Sequence, residues 1–213
     1  MLDIPVRRAV APALDRTAAG LDRAGVQPLV VTGVGWLLGV GACLAAGTGH
    51  WHLALLGWIL NRTLDGLDGA LARRYGATDL GGYLDLLADF SIYGGFVLAV
   101  GIEVPGARVA CLALFTAYYL SGTAFLALSP LLERRGVTGD GRSVVFVGGL
   151  AEGTETVLAY VAFCLWPAQA EAIAWVFAVM VGITVVQRVA HGIWILGRHR
   201  STPAPSAPTQ EHP

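Results

Sequence analysis

The sequence predicts an all-α integral membrane protein, six transmembrane helices preceded by a short interfacial amphipathic helix. Three observations predict it. First, the chain of 213 residues is 55% AVILMFWYC and only 14% charged, against about 25% charged in ordinary soluble domains, and its mean hydropathy is +0.62. Second, six stretches approach the roughly 20 apolar residues that cross a bilayer: roughly 28–46, 51–72, 82–102, 109–129, 144–166 and 170–194. Third, all fourteen basic residues are Arg and they are unevenly placed. Six spans put both termini on one side. Arg7, Arg8, Arg16, Arg23, Arg73, Arg74, Arg134, Arg135, Arg142, Arg198 and Arg200 fall there, Arg108 falls in an opposite loop, and Arg62 and Arg188 lie within spans. By the positive-inside rule both termini are expected in the cytoplasm. The expected setting is a bacterial cytoplasmic membrane with the active site toward the cytoplasmic side. A formal net charge of -1 gives no electrostatic case for nucleic acid as a partner.

Residues 1–25 come first. Val10, Leu14, Ala18 and Leu21 recur at helical spacing, with Arg7, Arg8, Asp15, Arg16, Asp22 and Arg23 on other faces. This pattern predicts a helix lying on the cytoplasmic leaflet, with a loosely ordered polar leader as the alternative. The first apolar run begins near Pro28, behind acids as well as bases, so no cleavable signal peptide is expected. Residues 26–197 form the six-span domain. Residues 198–213, ending in STPAPSAPTQEHP, are proline-rich without apolar periodicity and are expected to be a disordered cytoplasmic tail.

In the first span, Gly33-Val34-Gly35-x3-Gly39-x-Gly41 has the look of a dinucleotide loop but follows no strand, and small residues of this kind serve helix packing. Cys43, Cys111 and Cys164 each lie in an apolar run and are expected to be small buried hydrophobes.

The second and third spans carry the chemistry. Asp65 and Asp68 are i, i+3 near the end of one, and Asp85 and Asp89 are i, i+4 near the start of the next, so each pair shares a helix face. The short turn from Arg74 to Leu80 predicts antiparallel neighbours that bring the four carboxylates to one depth. Converging carboxylates repel, and acids within a membrane are costly. Arg73 and Arg74 could neutralise part of this charge, but an oxygen-only cluster suits hard divalent ions such as Mg²⁺ or Mn²⁺. Two such ions can hold both oxygens of an in-line phosphoryl displacement. Gly69 leaves room for a nucleotide beside the backbone, and Gly81 and Gly82 permit close helix approach. Arg73, one turn past Gly69, is either a diphosphate ligand or a positive-inside anchor.

The pattern Asp65-x2-Asp68-Gly69-x2-Ala72-Arg73-x7-Gly81-x3-Asp85-x3-Asp89 resembles the signature of the CDP-alcohol phosphotransferase (CDP-alcohol phosphatidyltransferase) family. The resemblance implies an enzyme of phospholipid biosynthesis in which an acceptor hydroxyl attacks the lipid-linked phosphorus and CMP departs. It implies two divalent cations: Asp65 and Asp85 bridging both, Asp68 completing the first site, and Asp89 serving the second and acting as general base. It places CDP-lipid contacts on Gly69, Arg73 and Thr78, beside Gly81. Pro28 and Thr32 match the opening of the family's first span, while Leu29 stands where many members have Asn. Members are commonly homodimers, and the Gly-rich spans permit that packing.

The expected donor is CDP-diacylglycerol or a related CDP-alcohol, and the acceptor a small alcohol or polyol phosphate. The alternative reverses the roles, with a soluble CDP-alcohol donating to diacylglycerol. A divalent-cation transporter is the rival from another class, since acids in spans can line an ion path. Glu152 and Glu155, i, i+3 in the fifth span, either pair structurally with Arg188, near Gln187, or recognise the acceptor. Arg142, with Arg134 and Arg135, either binds an anionic acceptor or anchors topology. His191, Trp175 and Trp194 are given no chemical role.

Overall fold

A computed structural model describes residues 3–134, 150–151 and 153–198. Among these residues all regular structure is helical. Helix α1 (Asp3–Arg23) precedes α2 (Pro28–Gly47), α3 (Trp51–Tyr75), α4 (Asp79–Glu103) and α5 (Arg108–Glu133). Helices α6 (Gly153–Leu165) and α7 (Ala170–Arg198) complete the order. Local chemistry sets several of the ends. Pro28 opens α2, where its missing N–H costs nothing. Gly76 closes α3 at a φ of +95°, open to glycine and strained for most residues. The Thr78 hydroxyl caps α4 by accepting from the Gly81 amide at 3.1 Å.

Among the described residues, four segments are long and apolar enough to cross a membrane: Pro28–Gly47, Asp79–Glu103, Pro105–Leu132 and Pro167–Gly197. Their outward faces carry exposed Leu37, Leu44, Leu98, Leu112 and Val186, as lipid-facing helices require. The chain is a multi-pass membrane protein. Two expected spans differ from these four. Helix α3 has 25 residues, long enough at about 1.5 Å each to cross, but Arg62, Asp65 and Asp68 interrupt its apolar character. Helix α6 has 13 residues, and residues 144–149 and 152 of the expected 144–166 stretch lie outside the described residues.

Packing differs from the expected side-by-side pairing of the second and third spans. Helix α2 packs closely on both α3 and α4, whereas α3 and α4 face each other across a cleft. Small residues bring α2 in: a Cβ on Gly57 would lie 3.0 Å from that of Ala42, and one on Gly95 3.3 Å from the Cys43 sulfur. Bulk at the α3/α4 face keeps those backbones apart, since Trp58 and Tyr93 meet there edge to face at 6.1 Å between centroids. Gly35 and Gly39 lie against α3 and α4, whereas Cβ atoms on Gly33 and Gly41 would meet nothing within 4 Å. Helix α5 packs mainly on α7, and α6 reaches α3.

The core is aromatic at its centre: Trp58, Phe96 and Tyr160 are fully buried and mutually in contact. Their polar atoms are paired, Trp58 Nε1 donating to the Val157 carbonyl at 3.3 Å and the Tyr160 hydroxyl to the Tyr93 carbonyl at 2.8 Å. Cys111 and Cys164 are buried, Cys43 half-buried, and all three are free thiols. Part of the apolar face of α1 is used inside the protein: Leu14, Ala18 and Leu21 pack with Leu64, Leu67, Ala70 and Leu71 of α3. Val10 on the same helix remains exposed. An apolar stripe is satisfied equally by lipid and by a neighbouring helix, and here α3 takes most of it.

Candidate active site

Helical arithmetic places the acids. Asp65 and Asp68 leave α3 on one face one turn apart, and Asp85 and Asp89 leave α4 on the face opposite. Oxygens of Asp65, Asp68 and Asp85 lie within 4.8 Å of one another. A hard cation with ligand distances of about 2.0–2.6 Å separates its oxygens by up to roughly 5 Å. Three carboxylates at this spacing, without a sulfur or imidazole among them, fit Mg²⁺ or Mn²⁺ chemistry. Asp68 is buried at 5% exposure. A buried carboxylate in this company demands a counter-charge.

Asp89 stands outside the three-carboxylate group. Its Oδ1 accepts from Arg62 Nη2 at 2.7 Å. Arg62 Nη1 also lies 3.6 Å from Asp65 Oδ2 and donates to the Tyr93 hydroxyl at 2.6 Å, while Nε donates to Asn61 Oδ1 at 2.9 Å. The guanidinium lies 4.9 Å from the Trp58 ring centre and 5.0 Å from that of Tyr93, a cation–π setting for a largely desolvated charge. Sequence reasoning assigned the partial neutralisation to Arg73 and Arg74, and the structure assigns it to Arg62. Arg74 Nε instead donates to Asp22 at 3.0 Å, and Arg73 Nη2 lies 3.7 Å from Asp15, both on α1. The signal for Arg62 was available: it precedes Asp65 by three residues, hence on its face, and a basic residue within an apolar stretch marks a function or a partner.

Two cavities meet at this site. The smaller, about 10 Å³, lies between α3 and α4 and is lined by Asp65, Asp68, Asp85, Asp89 and Arg62. The larger, about 450 Å³, opens beside it where α2 and α4 begin, within the range of small-molecule sites. Its wall includes Thr32, Asp68, Gly69, Thr78, Gly81 and Asp85. A Cβ on Gly69 would meet only Arg73 Nη1, at 3.8 Å, so its backbone faces open space. Gly81 and Gly82 border this cavity rather than a packed helix interface, a second departure from the expected close approach. Thr78 contributes its hydroxyl to the α4 cap. Arg73 is exposed and does not line either cavity.

Of the candidate acceptor residues Arg142, Glu152 and Glu155, only Glu155 is described, and it lines neither cavity. Glu155 is half-buried in the first turn of α6, and Arg142 and Glu152 lie outside the described residues, as do Arg135 and the tail from 199. Arg188 donates through Nη1 to the Ser121 carbonyl at 3.0 Å and hydroxyl at 2.9 Å. Gln187 Oε1 accepts from the Leu150 amide at 3.0 Å.

Comparison with known proteins bears on this arrangement. The chain is 39% identical over 199 residues to the inner membrane protein YnjF of Escherichia coli (strain K12), covering 90% of the chain and 95% of that relative. It resembles the crystal structure of Mycobacterium tuberculosis phosphatidylinositol phosphate synthase (PgsA1) with CDP-DAG bound. The TM-score is 0.70 at 25% identity, over 89% of this chain and 98% of that one. The same synthase in complex with manganese and citrate matches with a TM-score of 0.70 at 25% identity, over 89% and 93% of the two chains. Residues 26–189 match the CDP-alcohol phosphatidyltransferase profile, and with the acids of α3 and α4 set around one cleft, the chain belongs to that family.

Proposed function

We propose that the protein transfers a substituted phosphate group from a CDP-diacylglycerol-type donor to the hydroxyl of a small alcohol or polyol phosphate, releasing CMP. The observation that carries this reading is the three-carboxylate group of Asp65, Asp68 and Asp85 opening onto a 450 Å³ cavity that Gly69 leaves clear. A synthase of similar fold has been captured with CDP-DAG and, separately, with manganese, which supports both the donor and a divalent cofactor. In this reading the fold has six spans, α3 and α6 included, and the domain runs over 26–197 with cytoplasmic termini and site. The protein works as a homodimer in the membrane.

The larger cavity receives the cytidine diphosphate, with Gly69, Thr78 and Gly81 on its wall and Arg73 beside it for the diphosphate. Divalent ions held by Asp65, Asp68, Asp85 and Asp89 would supply Lewis-acid stabilisation to the diphosphate. Of the two ions expected from the motif, the three-carboxylate group supports one site directly. Asp89 accepts the proton of the acceptor's hydroxyl as the acceptor oxygen bonds to the lipid-linked phosphorus and the bond from that phosphorus to CMP breaks. Arg142, Glu152 and Glu155 are proposed to contact the acceptor.

The test is CMP release from labelled CDP-diacylglycerol by purified protein with Mg²⁺ or Mn²⁺ and a panel of acceptors. Metal-dependent release is expected, falling by about 10²–10⁴ in Asp89→Asn, the usual scale of general-base removal. Release only when a soluble CDP-alcohol and diacylglycerol are supplied would reverse donor and acceptor. Metal flux into vesicles without CMP release under any acceptor would sink the enzyme reading in favour of a transporter.

A further inference from the structure

The larger cavity has two chemically different ends. Thr32, Asp68 and Asp85 line both it and the acid cleft, so they mark the end it shares with the aspartates. The helices run away from that end along the cavity wall. On α3, Asp68, Gly69, Ala72 and Tyr75 stand at i, i+1, i+4 and i+7, one helical face, and all four line the cavity. From Asp68 to Tyr75 this face advances about 10 Å at the helical rise per residue. On α2, Thr32 lies at the shared end and Gln27, the residue before the helix, at the other.

That far end carries a ring and an amide. Tyr75, the last residue of α3, is 46% exposed. Gln27 is exposed at the N-cap position of α2, where its side chain forms no capping hydrogen bond. The neighbouring wall side chains Pro28, Leu29 and Ala72 offer no hydrogen bond, and the Thr78 hydroxyl is engaged in the α4 cap. Interfacial tyrosines are ordinary in membrane proteins, but this one lines a chamber that begins at the acids. The phosphates of a nucleotide seek the end where aspartates can hold cations, whereas a base seeks a flat ring and a hydrogen-bonding partner. Ribose and the inner phosphate separate the two in cytidine diphosphate, a length comparable with the Asp68–Tyr75 advance.

We propose that the far end is the nucleobase site: the donor's cytosine stacks on Tyr75, and the Gln27 amide hydrogen-bonds the edge of that base. An amide presents a donor and an acceptor together, and cytosine presents an amino donor at N4 beside the N3 acceptor. The proposal rests on the reading above for the identity of the nucleotide, and adds its direction in the cavity and two binding residues outside the aspartate motif. Neither residue approaches the reacting phosphorus, so both contribute binding that is equal in ground state and transition state.

The experiment compares equilibrium binding of CDP and of inorganic pyrophosphate to the purified full-length chain in excess Mg²⁺, with donor kinetics alongside. Tyr75→Ala is expected to weaken CDP about 5–100-fold, the range for one base stacked on an aromatic ring, and to leave pyrophosphate unchanged. Tyr75→Phe keeps the ring and is expected to bind CDP as wild type does. Gln27→Ala is expected to weaken CDP about 2–10-fold, the scale of a neutral hydrogen bond, again without effect on pyrophosphate. In turnover both losses are expected in donor KM with kcat retained. Both side chains are exposed, so the variants leave the core intact. Undiminished CDP binding in Tyr75→Ala overturns the proposal, as does a parallel loss of pyrophosphate or a Tyr75→Phe as weak as Tyr75→Ala; undiminished binding in Gln27→Ala removes the amide's role. If wild type binds CDP and Tyr75→Ala binds it equally well, the transferase reading stands and only the stacking site falls. If wild type binds pyrophosphate but not CDP, the CDP-linked donor itself is refuted.

Discussion

Gly39 and Asn61 set the position of the whole charged cluster, because the amide of Asn61 can reach the Gly35 carbonyl only if α2 presents no side chain at Gly39. A Cβ there would lie 2.8 Å from Ile92 and 2.9 Å from Asn61 Nδ2. Gly39→Ala is therefore expected to cost about 1–3 kcal/mol as overpacking, read as a lower thermal midpoint in detergent, and to weaken Mn²⁺ binding. Gly41→Ala, with open space around it, is expected to leave both unchanged. At this scale the sequence showed the four aspartates clearly, since their spacing alone puts each pair on one helix face. The pairing of Arg62 with Asp89 was not legible: it links residues 27 positions apart, and its geometry depends on Trp58, Tyr93 and Asn61 meeting it from three directions. Arg73 and Arg74 drew the expectation instead because Arg73 is part of the motif and Arg74 follows it, while the acids they pair with, Asp15 and Asp22, sit on a helix distant in sequence.

Helix α1 shows how element-scale energetics differ from what charge suggests. The two ion pairs from α1 to α3 among the described residues lie at the surface, and such pairs contribute about 0–1 kcal/mol. Ala18 is fully buried against the α3 residues Leu67, Ala70 and Leu71, where added volume must push the helices apart. Ala18→Leu is expected to destabilise by about 1–3 kcal/mol, while Asp15→Asn stays within about 1 kcal/mol of wild type, both measured by thermal unfolding in detergent. The reverse order would show that α1 is held by charge. The amphipathic pattern of residues 10–21 predicted a helix correctly but not its partner, because the apolar stripe is the same whether it meets acyl chains or Leu67. Boundaries followed comparable logic. The third span was expected from 82 and the helix begins at Asp79, because the Thr78 cap, rather than hydropathy, decides where α4 starts.

At the scale of the molecule, hydropathy located the apolar segments and the uneven arginines gave an expected orientation, but neither gave the packing order. Protein-facing and lipid-facing positions in α2, α4, α5 and α7 are alike apolar, so the intercalation of α2 between α3 and α4 rests on glycines at particular turns and on the bulk of Trp58 and Tyr93. The proposed topology has a direct check. Reporter fusions after residue 198 and in the Gly76 turn are expected to read as cytoplasmic and one at Gly106 as external; a fusion at Gly76 that reads as external would remove α3 from the spans.

The larger cavity has a kinetic consequence. Its wall presents two carboxylates, Asp68 and Asp85, and among the described residues no basic side chain lines it; the adjacent Arg73 lies toward Asp15 at its edge. A diphosphate approaching the bare protein meets repulsion first. Binding should therefore be compulsorily ordered, cation before nucleotide, so that CDP association is undetectable in chelator and appears as Mn²⁺ is titrated in, with apparent KM for the donor falling as free metal rises. Donor affinity would in that case be set by the cell's free divalent ion as much as by the lipid supply, making the acid-walled chamber a point where ionic conditions meter membrane synthesis.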